Sequence, residues 1–148
     1  MGERAGYRIR QGDKVSHMMR KQLYVGGTTK DFENLCFEIA ETLGGNPGGG
    51  GSALRNDLNI QRMTAALYHV LYTAPFDRIC EDANCDITDH GIFEIEFLSW
   101  EKWQVNHYVV VYEGNKVGEK EVLGTVDVVE GGNGKDILKF TWNNKYDL

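Results

Sequence analysis

The chain has 148 residues, with 16 basic and 22 acidic side chains and a net charge of −6. That length suits one domain with a real core, and an acidic chain without a Lys/Arg stripe excludes nucleic acid and anionic membrane as expected partners. No apolar run approaches the ~20 residues that cross a bilayer, and the opening residues carry no signal-peptide core. Three cysteines, an odd number, do not suggest a disulfide framework, so the expected setting is cytoplasmic or otherwise reducing.

Tyr7-Arg-Ile-Arg10 predicts a short strand. Asp13 then caps a predicted helix reaching Tyr24, with Val15, Met18, Met19 and Leu23 as its apolar stripe, and Gly26-Gly27 stops it. Thr28 followed by Asp31 has the form of a capping box. Behind it Phe32, Leu35, Cys36, Ile39, Ala40 and Leu43 recur at helical spacing until Gly44-Gly45. Pro47-Gly-Gly-Gly-Gly-Ser52 has the composition of a flexible spacer, natural or engineered. It divides a single domain, 1–148, into a helical segment 1–47 and a segment 53–148. Asn56 or Asp57 caps a third predicted helix, with Ile60, Met63, Leu67 and Leu71 on its stripe, and Pro75 ends it.

From Gly91 onward the period changes to two. Phe93, Ile95 and Phe97 alternate with Glu94 and Glu96. Trp103, Val105, His107, Val109 and Val111 share one face of the next strand. Further strands are predicted near 121–129 and over 136–142, joined by glycine-rich turns. Short connections predict antiparallel neighbours. The expected fold class is therefore α+β: a four-stranded antiparallel meander packed against two to three amphipathic helices.

Three groups of residues could carry chemistry. Cys36, His107 and Asp127 supply a thiol, a base and an orienting carboxylate if helix and strands bring them together. Cys36 in Asn-Leu-Cys-Phe-Glu and His107 in Asn-His-Tyr-Val-Val-Val-Tyr resemble papain-like cysteine enzymes over two short patches. That resemblance implies a cysteine hydrolase or acyltransferase. Against it, Cys36 stands about two turns inside its helix, away from the helix dipole's positive end, and no glutamine precedes it as an oxyanion donor.

Cys80, Cys85 and His90 are weak zinc candidates that lack a fourth ligand in a common spacing. The Asp82–Thr88 run begins like a calcium loop, but Ile87 stands where glycine is needed and Phe93 where the bidentate glutamate belongs. No metal or other cofactor is expected. The third group is aromatic: Trp100, Trp103, Tyr108, Tyr112 and Trp142 load the β region with the residue types that anchor protein interfaces. The leading expectation is a protein-interaction domain, either a helical segment tethered to its α+β partner or one continuous chain, that binds another protein or peptide. The sequence does not fix its oligomeric state.

Overall fold

Tyr7 and Ile9 alternate with Arg8 and Arg10, and this alternation builds an interior strand of the sheet. The computed structural model describes residues 5–21, 29–44, 59–71, 76–80, 91–111, 116–130 and 136–143. In chain order the elements are β1 (Ala5–Gln11), β2 (Lys14–Val15), β3 (Met19–Lys21), α1 (Thr29–Gly44) and α2 (Ile60–Leu71), then β4 (Phe76–Ile79), β5 (Ile92–Ser99), β6 (Lys102–Val111), β7 (Lys116–Glu130) and β8 (Asp136–Trp142). The spacer at 47–52 and the cap candidates Thr28, Asn56 and Asp57 lie outside the described residues, as do Cys85, His90 and Tyr112.

The expected four-stranded antiparallel meander is overturned. Among the described residues the sheet is mixed and eight-stranded, in the order β4-β3-β1-β5-β6-β7-β8, with β2 paired to β1. Strand β1 runs parallel to β5, with Arg8 opposite Glu94 and Ile9 opposite Ile95. A parallel step needs a long crossover, and here the chain between the two strands contains both helices. Short-turn logic sees only neighbours in sequence, which is why the strand expected at Tyr7–Arg10 was not placed beside β5. Gly91 opens β5 at φ 77° and accepts a hydrogen bond from Gly6 N at 3.0 Å, fastening the start of the parallel pair. A Cβ at Gly91 would meet the Tyr108 carbonyl and His107 Nε2, so the position requires glycine twice over.

The helix expected from Asp13 is replaced by β2, the segment 16–18 and β3. Met18 and Met19 show why. Both are fully buried, Met19 in the helix-side core and Met18 in a separate cluster with Cys80 and Ile92. Consecutive residues point to opposite faces of a strand, so both find cover only in that geometry.

Helices α1 and α2 cover one face. Phe32, Leu35, Cys36 and Ile39 from α1 join Met63, Leu67 and Leu71 from α2 over Tyr7, Phe93, Ile95, Phe97, Trp103 and Val105. Rings interlock there: Phe32 to Phe93 at 4.9 Å and Phe97 to Trp103 at 4.6 Å between centroids. Asn59 caps α2, its Oδ1 accepting from Arg62 N at 3.0 Å. No helix among the described residues is long and apolar enough to cross a membrane.

Candidate functional site

The three members of the thiol constellation do not converge. Cys36 is fully buried on the core stripe of α1; burial, helped by the nearby Glu33 charge, pushes its thiol up to about 12. That is the opposite of what a nucleophilic thiolate needs. His107 is on the helix side of β6, its ring 4.6 Å from that of Phe93. Its register partner on β7 is Glu121, whereas Asp127 lies opposite Lys102, five residues further along β6. At about 3.4 Å per residue this separates histidine and aspartate by roughly 17 Å. Asp127 also points to the other face, where Lys102 Nζ approaches its Oδ1 at 3.2 Å.

Of the metal candidates only Cys80 is among the described residues. Cys80 is disulfide-bonded, so it offers no thiolate, and Cys85 is the only cysteine in the chain besides Cys36 and Cys80. Among the described residues no cluster of His, Cys, Asp or Glu could hold a metal ion.

Of the aromatic candidates, Trp100 and Trp103 are buried in the core, where Trp103 Nε1 donates to the Trp100 carbonyl at 2.8 Å. Tyr108 lies on the opposite face, under the Arg8 guanidinium at 4.8 Å. Trp142 is half-buried beside α1, and its Nε1 donates to Glu33 Oε2 at 2.8 Å.

Two features went unforeseen. The first is a buried ionic network on the face away from the helices, centred on Glu94, whose side chain is 0 % exposed. Arg8 Nε donates to its Oε2 at 2.8 Å. Its Oε1 accepts from Arg10 Nε at 3.0 Å, Asn106 Nδ2 at 2.9 Å and Tyr108 OH at 3.1 Å. Burial alone raises the Glu94 carboxyl, but Asn106, Arg8 and Arg10 together outweigh it and hold the group below its ordinary value. Burial and the Glu94 charge raise the Tyr108 hydroxyl. A fully buried carboxylate already saturated with donors has no oxygen for a substrate. Its work is to lock β1, β5 and β6 in register. The sequence signal was the matched spacing of Arg8-x-Arg10 and Glu94-x-Glu96.

The second is the β8 edge. No described strand lies beyond β8, and Asn143 N donates inward to the Leu123 carbonyl at 2.9 Å. Backbone direction alternates along a strand, so the N–H and C=O of Leu138, Phe140 and Trp142 point outward. On the helix side the same edge carries an aromatic row. Phe37, 43 % exposed, meets Phe140 edge-on at 5.6 Å, and Phe140 stacks on Trp142 at 5.9 Å with 5° between planes. On the other side Ile137 is 47 % exposed. Phe37 lies off the stripe of α1, at i+5 from Phe32, which marked it as a residue with another use.

Comparison with models of known families, with curated proteins and with solved structures returns no match.

Proposed function

We propose that the chain is a protein-interaction domain whose docking element is the β8 edge. The observation that carries this is the pairing of outward main-chain groups on β8 with the row formed by the exposed Phe37 and the partly buried Phe140 and Trp142. An extended segment laid along β8 would take its affinity from main-chain hydrogen bonds. Every second side chain would meet the aromatic row, which supplies specificity. The other edge, β4, spans only Phe76–Ile79 and is held by the three-residue β3 across a register shift, a poorer template.

The test is an NMR titration with a blocked peptide alternating phenylalanine and threonine, with lysine at both ends. Amide shifts should gather at Leu138, Phe140 and Trp142. A β8 unmoved at millimolar peptide sinks the proposal.

The proposed compartment is cytoplasmic or otherwise reducing, in keeping with the free Cys36. The disulfide at Cys80 speaks against it, because such bonds persist in oxidising settings. Trapping thiols in cell extracts with iodoacetamide and weighing the protein decides: alkylated Cys80 supports the reducing setting, and a protected Cys80 rejects it.

A further inference from the structure

We infer that the cleft between α2 and the break separating β2 from β3 binds a small, neutral aromatic molecule carrying one hydrogen-bond donor. The cleft has a volume of about 430 Å³, in the lower part of the range of small-molecule sites, roughly 300–1,000 Å³. That suits a ring system rather than a strand or helix of another protein. Its shape follows from the sequence of α2. Ile60, Thr64 and Tyr68 recur every fourth residue and so form one row, beside the row Met63, Leu67 and Leu71 that enters the core. In the outer row a short side chain stands between two long ones, and Ala65 next to it is short as well, which leaves a hollow. The facing wall is Val15, Ser16 and His17, where the chain leaves β2.

That wall is fixed before any ligand arrives. Ser16 N donates to the Ile9 carbonyl at 2.9 Å, and Ile9 N donates back to Ser16 Oγ at 2.9 Å. Ser16 Oγ donates in turn to the His17 carbonyl at 3.0 Å, and Tyr68 Oη reaches over from α2 to donate to the same carbonyl at 3.0 Å. A wall pinned to β1 and tied to the helix is preorganised, so binding loses little to ordering it.

The same bonds select the chemistry of the ligand. The hydroxyl hydrogens of Ser16 and Tyr68 are committed to His17 O, and that of Thr64 to the Ile60 carbonyl. The His17 carbonyl, with two lone pairs, is thereby filled. What the hollow still offers is an acceptor, Tyr68 Oη. Burial raises the Tyr68 hydroxyl, so it keeps its proton, and its bond to His17, at neutral pH. The His17 ring and the Gln61 amide are on exposed residues, where water competes for them. A carboxylate or phosphate therefore meets no buried side-chain donor among the described lining residues. A flat ring with a single N–H or O–H matches both the apolar walls and the waiting oxygen.

The test is a pair of amide NMR titrations to about 2 mM, one with indole and one with indene, the same ring system without the N–H. Indole should move the amides of Ser16, His17, Ala65 and Tyr68 with a Kd of about 1 mM or tighter, and indene should bind about fivefold more weakly. Tyr68→Phe should weaken indole about fivefold and leave indene unchanged, a split that a general disturbance of the wall does not produce. Ala65→Trp, at an exposed position, fills the hollow and should abolish both. Indole bound no tighter than indene, or equal losses of the two probes in Tyr68→Phe, overturns the inference, because Tyr68 then shapes the wall without accepting the N–H. Shifts that survive Ala65→Trp place the ring elsewhere and overturn it too, and amides unmoved at 2 mM indole overturn it outright.

Discussion

Arg8 and Glu94 are register partners across the parallel β1–β5 pair, joined Nε to Oε2 at 2.8 Å with side chains 4 % and 0 % exposed. A buried pair is weak evidence of stability as such, since each ion lost its water. Its value is in what happens when one partner goes. Glu94→Gln leaves the Arg8 cation buried against a neutral amide and should cost about 3–5 kcal/mol in urea denaturation. Arg8→Met should cost less, because Arg10, Asn106 and Tyr108 still hold the carboxylate. If Glu94→Gln moves stability by under ~1 kcal/mol, within the range of an exposed pair, the network is not what fixes the register.

The same carboxylate sets the acid limb. Its folded pKa is held below the ordinary 4.5, so above that value both folded and unfolded chains carry the charge and the full contribution is present. As pH falls below 4.5 the unfolded chain takes up the proton first, and stability declines until the folded carboxyl also protonates. Urea midpoints measured from pH 6 to pH 2.5 should fall with this slope, and a carbon-detected NMR titration should place the Glu94 midpoint below 4.5. A midpoint above 4.5 would mean that burial, not Asn106 and the arginines, governs the group.

Much of the β5 pattern was legible because alternation is local. Phe93, Ile95 and Phe97 do lie in the core, and Glu94 and Glu96 do take the other face. What alternation could not reveal is that this other face is closed at its centre. Glu94 is buried because β1, distant in sequence, lies alongside carrying two arginines in phase. The helix expected over 13–24 fails across its described part, residues 13–21, for a related cause: a stripe written over so few residues fits either period, and only Met18 and Met19 seeking opposite faces separate the two. Val109 marks another limit. Alternation puts it on the face of His107, yet it is 57 % exposed, because a period of two assigns a face and says nothing of what covers it. The β8 edge was invisible for a simpler reason: a strand is an edge only once the whole sheet order is known.

Cys36 offers a test of its own. A thiol buried on α1 and raised to about 12 should react with iodoacetamide only when the chain opens, roughly a thousandfold or more slower than in urea, as marginal stability implies. The linkage runs opposite to that of Glu94. A raised folded pKa means the contribution is whole below the ordinary 9.0 and is lost as pH climbs from 9.0 towards 12, so alkaline denaturation of Cys36→Ala should be shallower over that range. Rapid labelling of the native protein at neutral pH would restore the thiol as a candidate nucleophile.

Gly124 ties the edge strand to the core. It pairs directly with Trp142, and a Cβ there would lie 2.5 Å from Trp142 Cε3 and 2.7 Å from the Thr141 carbonyl. The ring could swing, but the carbonyl belongs to β8 itself and can give way only if the strand moves. Gly124→Ala should therefore shift β8 outward, weaken the Trp142 Nε1 to Glu33 bond of 2.8 Å and cost about 1–3 kcal/mol, the usual penalty of overpacking. Trp142 is half-buried against Phe140 and Phe32, so the displacement should appear as a change in the tryptophan near-ultraviolet dichroism. Glu33→Ala separates the two effects. It removes the carboxylate but leaves β8 seated, so it should cost about 1 kcal/mol, with docking of the phenylalanine–threonine peptide intact. Equal loss of peptide binding in both variants would show that the Glu33 bond, rather than the close fit at Gly124, holds the edge in place.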